Sequence, residues 1–93
     1  MTDLPTAADI DAASARLRGI VETTPLQLNV RLSAATGTDV WLKREDLQPV
    51  RSYKLRGAYN RIAQLSEAER AAGVVCASAG NHGQGVAFAC SRL

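Results

Sequence analysis

Cysteine is scarce here, and its placement excludes both a disulfide framework and a redox motif. Cys76 and Cys90 stand 14 positions apart with no Cys-x-x-Cys. Both sit in apolar runs, where a free cysteine usually behaves as a small buried hydrophobe, so both are expected to be buried. The one histidine, His82, has no cluster of cysteine or carboxylate around it, so no metal site is expected. Charge of one sign is also lacking. Eleven Lys+Arg against nine Asp+Glu leave +2, too little and too scattered for a nucleic-acid surface. No run of about 18 apolar residues is present, so no membrane-spanning helix is expected. The start, Met1-Thr-Asp-Leu-Pro-Thr6, has neither a basic n-region nor an apolar h-region, which makes a cytoplasmic protein the expectation. Repeats and low-complexity tracts are absent, and an apolar fraction of 46% argues against intrinsic disorder.

What is there alternates between helical and extended patterns. Thr6 with Asp9 reads as a capping box, opening a helix with Ile10, Ala13 and Leu17 on one face and Gly19 at its close. Ile20 to Leu28 is extended, with Pro25 against any helix. Asn29 caps a short helix that Gly37 ends. Val40-Trp41-Leu42 reads as a buried strand. Ser52 to Leu65 carries Leu55, Ala58, Tyr59, Ile62 and Ala63, a helical stripe. Ser66 with Glu69 is a second capping box, and Gly73 ends the helix it opens. Val74 to Ala77 reads as a second firm strand, and a last helix starts near Asn81. The alternation predicts an α/β fold with a parallel sheet. A parallel sheet needs cover on both faces and about four to six strands. The chain therefore reads as an incomplete parallel-sheet α/β fragment, with several of Val40, Leu42, Val74, Val86, Phe88 and Leu93 left exposed.

Two strings carry chemistry. In the first, Lys43-Arg-Glu-Asp-Leu-Gln-Pro-Val50 leads into Arg51-Ser-Tyr-Lys-Leu-Arg-Gly-Ala-Tyr-Asn60. Lys54 stands at a helix start, facing the positive end of the helix dipole, with Arg51 and Arg56 adding like charge. A neutral lysine amine is the nucleophile of Schiff-base chemistry; a solvated loop lysine is the bland reading. The second string is Ser78-Ala-Gly-Asn-His-Gly-Gln-Gly85, a small-residue loop between an extended run and a helix. Such a loop aims backbone N–H groups at an anion, though alone it also fits a tight turn. It is not a Walker loop, since no Gly-Lys-Ser/Thr follows. Phe88 breaks a dinucleotide fingerprint.

Together and in this order, about 25 residues apart, the strings resemble the pyridoxal-phosphate enzymes of the tryptophan-synthase-β type (fold type II), and within them the threonine dehydratases, or threonine ammonia-lyases. Thr24-Pro25-Leu26 is a third match, and the resemblance covers residue 7 to the last residue. It implies pyridoxal 5′-phosphate as cofactor and an amino acid as substrate, with L-threonine giving 2-oxobutanoate and ammonia. Lys54 matches the lysine that holds the cofactor and then serves as base and acid. Asn81 matches the asparagine that hydrogen-bonds the cofactor's 3′-oxygen. Tyr53, where phenylalanine is usual, matches the ring on the cofactor's face. Ser78, Ala79, Gly80, Asn81 and His82 match the loop for the substrate carboxylate.

The same resemblance implies a partial catalytic domain. Residues 1 to about 51 would begin the large cofactor domain, and about 52 to 93 the smaller one. The glycine-rich phosphate loop is not in the chain, so these residues alone are expected to be inactive, and the full-length protein to be a homo-oligomer. Arg51 and Gly83 depart from the usual pattern. Serine dehydratase or serine racemase on the same scaffold stays open as an alternative, as does a non-catalytic anion-binding or assembly module.

Overall fold

The computed structural model describes residues 3–93, which form five α-helices, two short strands and one 3-10 turn. Local signals set most helix ends. Helix α1, Ala7–Leu17, opens on a complete capping box: Thr6 Oγ1 accepts from the Asp9 N–H, and Asp9 accepts from the Thr6 N–H. Asn29 Oδ1 accepts from the Leu32 N–H at 2.8 Å and starts α2, Val30–Thr36. Gly37, at φ 74°, ends it in the left-handed region that glycine enters most easily. Ser66 and Glu69 form the second capping box, at α4, Glu67–Ala72.

Strands β1, Leu26–Leu28, and β2, Trp41–Lys43, pair antiparallel with Gln27 opposite Leu42. The α/β class stands, but the expected parallel pairing is corrected: among the described residues this is the one ladder. The run 74–77 is extended without a strand partner, and Val75 is 99% exposed. An extended run needs a neighbour before its backbone groups can enter a sheet, and none of the described residues supplies one. Strand β2 is also not buried, since Trp41 is 54% exposed. Of the residues expected to be exposed, Val74 and Leu93 are so, while Val40, Leu42, Val86 and Phe88 are half-buried. Larger apolar exposure falls on Leu26, Val30 and Val75. Cys76 and Cys90 are exposed as well, against expectation. Cys76 lies in the unpartnered extended run, and among the described residues no element covers Cys90.

The core forms where α3, Lys54–Ala63, packs against α5, Asn81–Arg92, with the end of α1 alongside. Leu17, Ala58, Tyr59, Ile62 and Ala89 are buried together, with Val86 and Leu65 packed on them. The α3 stripe is the one expected, and Leu55 is fully buried. Of the expected α1 face, Leu17 is buried and Ile10 stays exposed. Arg16 joins α1 to α3 through the Asn60 side chain at 3.1 Å.

Candidate active site

Lys54 is the first residue of α3, with Tyr53 at the N-cap. Its backbone is held while its side chain is exposed. The Lys54 N–H donates to the buried Ser52 hydroxyl at 3.3 Å. The other side of the residue is pressed by α5. A Cβ built on Gly85 would lie 3.0 Å from the carbonyl carbon and oxygen of Lys54 and 3.1 Å from the Leu55 nitrogen. Glycine is what lets α5 approach that peptide so closely. The Lys54 side chain is exposed, with its Nζ 5.1 Å from the centre of the exposed Tyr53 ring, a cation–π distance.

The Gly85 contact also fixes where the second string lies. Asn81 is the first residue of α5, one helical turn, or about 6 Å along the axis, before Gly85. The N-terminal ends of α3 and α5 therefore lie side by side. Ser78 shapes the loop: its hydroxyl accepts from the N–H groups of Gly80 at 3.2 Å and Gly83 at 3.0 Å. Gly83 packs on Ser78, a Cβ there lying 3.5 Å from the serine Cβ. Ser78, Ala79, Gly80, Asn81 and His82 are all exposed. Among the described residues the N–H groups of Asn81 and His82 have no protein acceptor. First-turn N–H groups of this kind can donate to an anion. His82 also borders a cavity of about 300 Å³ with Arg61, Val74, Val75, Cys76 and Val86, between α3, α5 and the extended run.

The stretch between β2 and α3 is held by a polar knot not foreseen in the sequence. Glu45 accepts from Thr24 Oγ1 at 2.6 Å, Gln48 Nε2 at 3.1 Å, Arg56 Nη2 at 3.1 Å and Arg56 Nε. Gln48 is fully buried. Its amide accepts from the Glu22 N–H and donates to the Glu22 carbonyl, both at 2.9 Å, standing in for a strand partner. Lys43 Nζ donates to the Thr24 carbonyl at 2.6 Å. The Arg56 guanidinium holds the Glu45 carboxyl down at about 2, against its ordinary 4.5, with Thr24 and Gln48 adding to the effect. Glu45 raises Arg56 in return. One signal in the sequence pointed this way: an arginine in a helix's first turn opposes the dipole and calls for a carboxylate nearby. Arg51 adds local strain. It sits at φ 64°, its N–H donating to the Gln48 carbonyl at 2.8 Å, a conformation rare for a side-chain-bearing residue and common near functional sites.

The donor set fits a cofactor that needs an amine and an anion cradle at short range. Residues 17–93 match the pyridoxal-phosphate dependent enzymes. The chain belongs to that family. Among pyridoxal-phosphate dependent relatives, the biosynthetic L-threonine dehydratase of Mycobacterium leprae is 67% identical over 87 residues, covering 94% of this chain and 20% of that protein. The structure of maize serine racemase matches with a TM-score of 0.84 at 34% identity, over 92% of this chain and 27% of the other. The processed form of threonine deaminase isoform 2 from Solanum lycopersicum matches with a TM-score of 0.73 at 40% identity, over 95% and 27%. The chain spans about a fifth of the length of the curated relatives it matches.

Proposed function

We propose that these residues form the lysine-bearing, carboxylate-binding part of a pyridoxal-phosphate-dependent threonine ammonia-lyase, releasing 2-oxobutanoate and ammonia from L-threonine. The observation that supports this is the Gly85 contact: the Lys54 peptide packs against Gly85, which lies one helical turn along α5 from Asn81. The relatives named as threonine dehydratases supply the substrate. When bound, pyridoxal phosphate supplies an electron sink for charge developing at the substrate α-carbon. Lys54 would hold it through Nζ, Tyr53 would cover one face of its ring, and the Asn81 amide would hydrogen-bond the ring oxygen.

The chain's own groups then divide the work. Once the substrate's own amine has taken its place on the cofactor, the freed Lys54 amine would serve as base for the α-C–H. The N–H groups of Asn81 and His82, with the loop Ser78-Ala79-Gly80, fix the substrate carboxylate without a buried cation. Fixing the carboxylate aligns the C–H bond that breaks. The domain division near residue 51, a homo-oligomeric full-length protein and a cytoplasmic location belong to the same proposal. Among the described residues no helix is long and apolar enough to cross a membrane.

A second reading has a specific observation behind it: the likeness to maize serine racemase, with a TM-score of 0.84. The two separate by assay of the full-length protein loaded with pyridoxal phosphate. Equal amounts of 2-oxobutanoate and ammonia from L-threonine, lost in Lys54→Ala, support the first. Interconversion of L- and D-serine without turnover of threonine supports the second. No turnover of either amino acid overturns both.

A further inference from the structure

We propose that the Glu45–Arg56 ion pair is a positioning device for Lys54, setting the direction in which the first turn of α3 presents the amine. The inference rests on the assignment of Lys54 proposed above and adds residues outside the set assigned to the cofactor and the substrate carboxylate.

Arg56 lies two residues beyond Lys54, in the same helical turn. Its guanidinium engages both carboxylate oxygens of Glu45, Nε to one and Nη2 to the other. Such a two-point grip fixes a plane as well as a distance, which a single bond cannot do. Glu45 is itself immobilised. Its Oε2 also receives the hydroxyl of buried Thr24 and the amide of fully buried Gln48, and Gln48 is bonded twice to the Glu22 backbone. The carboxylate is thus anchored in segment 22–24 and in the 3-10 turn Glu45–Leu47, and from there holds α3.

Three restraints meet on the turn that carries Lys54: the Ser52 hydroxyl on its N–H, Gly85 against its carbonyl, and the ion pair two residues on. None touches the amine. A fixed backbone beneath the reactive side chain is the part of pre-organising a catalytic group that these restraints supply. The pair also offsets an electrostatic misfit. An arginine at the positive end of a helix remains in place because Glu45 faces it.

The test uses the full-length protein with Glu45→Gln, Glu45→Asp and Arg56→Lys, each assayed well below its own melting temperature. Glu45→Gln keeps the side chain's size and removes the charge. Arg56→Lys keeps the charge and removes the two-point grip. Two readouts are taken: kcat and KM, and the rate at which acetic anhydride acylates Lys54 in cofactor-free protein across pH 6 to 10. The expected result is a fall in kcat of about tenfold or more with KM changed less than about threefold. The acylation profile of Lys54 shifts along the pH axis in Glu45→Gln, and Arg56→Lys loses kcat as well, although it keeps the charge. Variants that all match the parent in kcat and in the Lys54 profile, whatever their melting temperatures, overturn the proposal and leave the pair a stabilising contact. Parent-level kcat in Arg56→Lys overturns it too, because charge alone would then suffice. Failure of the parent itself to hold cofactor on Lys54 would sink the assignment beneath it, an outcome distinct from the other two.

Discussion

Two glycines on one helix should respond in opposite ways to the same substitution. At Gly85 a new Cβ meets the carbonyl carbon and oxygen of Lys54 at 3.0 Å. Carbon atoms settle at about 3.5–4.0 Å, so α3 and α5 must separate by about 0.5 Å. The atoms in the way are backbone, which cannot swing aside as a side chain can. Overpacking of this kind costs about 1–3 kcal/mol, while alanine in place of glycine inside a helix returns up to about 1 kcal/mol. Gly85→Ala should therefore destabilise by roughly 0–3 kcal/mol. Its catalytic effect should be larger than that suggests. The atoms displaced belong to Lys54, and a misplacement of about 1 Å can cost 10²-fold. Half that shift predicts a loss of about tenfold in kcat. Gly83 has room: a Cβ there would lie 3.5 Å from the Ser78 Cβ, an ordinary contact. Gly83→Ala should be neutral or stabilising by up to about 1 kcal/mol, with kcat unchanged. Thermal unfolding and steady-state kinetics of the full-length protein decide the matter. Gly85→Ala that is as stable and as active as Gly83→Ala would refute the close packing of α5 on the Lys54 peptide.

Acid should weaken the fold through Glu45. Its carboxyl is lowered to about 2 from 4.5, so its contribution is complete above about pH 5 and lost as pH falls from there towards 2. With the paired arginine a third exposed, that contribution is roughly 2 kcal/mol after allowance for solvent screening. Urea unfolding between pH 6 and 3 should show a steep loss in the parent and a shallower one in Glu45→Gln; parallel curves would contradict the ion pair. At Arg51, φ 64°, Arg51→Gly should be neutral or slightly stabilising. Arg51→Val should cost about 1–2 kcal/mol, measured by thermal unfolding, and equal stability of the two would place the residue outside the left-handed region. Ser66→Ala removes the cap on the Glu69 N–H and should cost about 1 kcal/mol, and no change in melting temperature would count against that box.

Local signals were legible in the sequence and long-range ones were not. Thr6, Asn29 and Ser66 each cap a helix through a partner three residues away, so sequence spacing alone reveals them. The α3 stripe is equally local, since periodicity fixes which side is buried. The run Val74–Ala77 has the composition of a strand, but pairing is a property of two segments. Direction escaped for the same reason: β1 and β2 are antiparallel because the chain turns back through α2, with the Asn29 N–H donating to the Val40 carbonyl at 2.8 Å beside the ladder. In the polar knot, Thr24 reaches Glu45 across 21 positions and Glu22 reaches Gln48 across 26. No periodicity links such residues. Lys54 and the loop 78–82 could be singled out because each is a dense local string of unusual residues. That their helix ends lie together depended on Gly85, a residue with no side chain to announce it.

The central claim is that Lys54 is the residue that carries the cofactor. The most direct measurement is reduction of the full-length protein, loaded with pyridoxal phosphate, by borohydride, followed by digestion and mass mapping of the modified peptide. The prediction is one equivalent of reduced cofactor, found on the peptide containing Lys54 and absent in Lys54→Ala, with Lys43 unmodified. Cofactor fixed on Lys43 or another lysine, spread over several lysines, or still bound covalently in Lys54→Ala would contradict it.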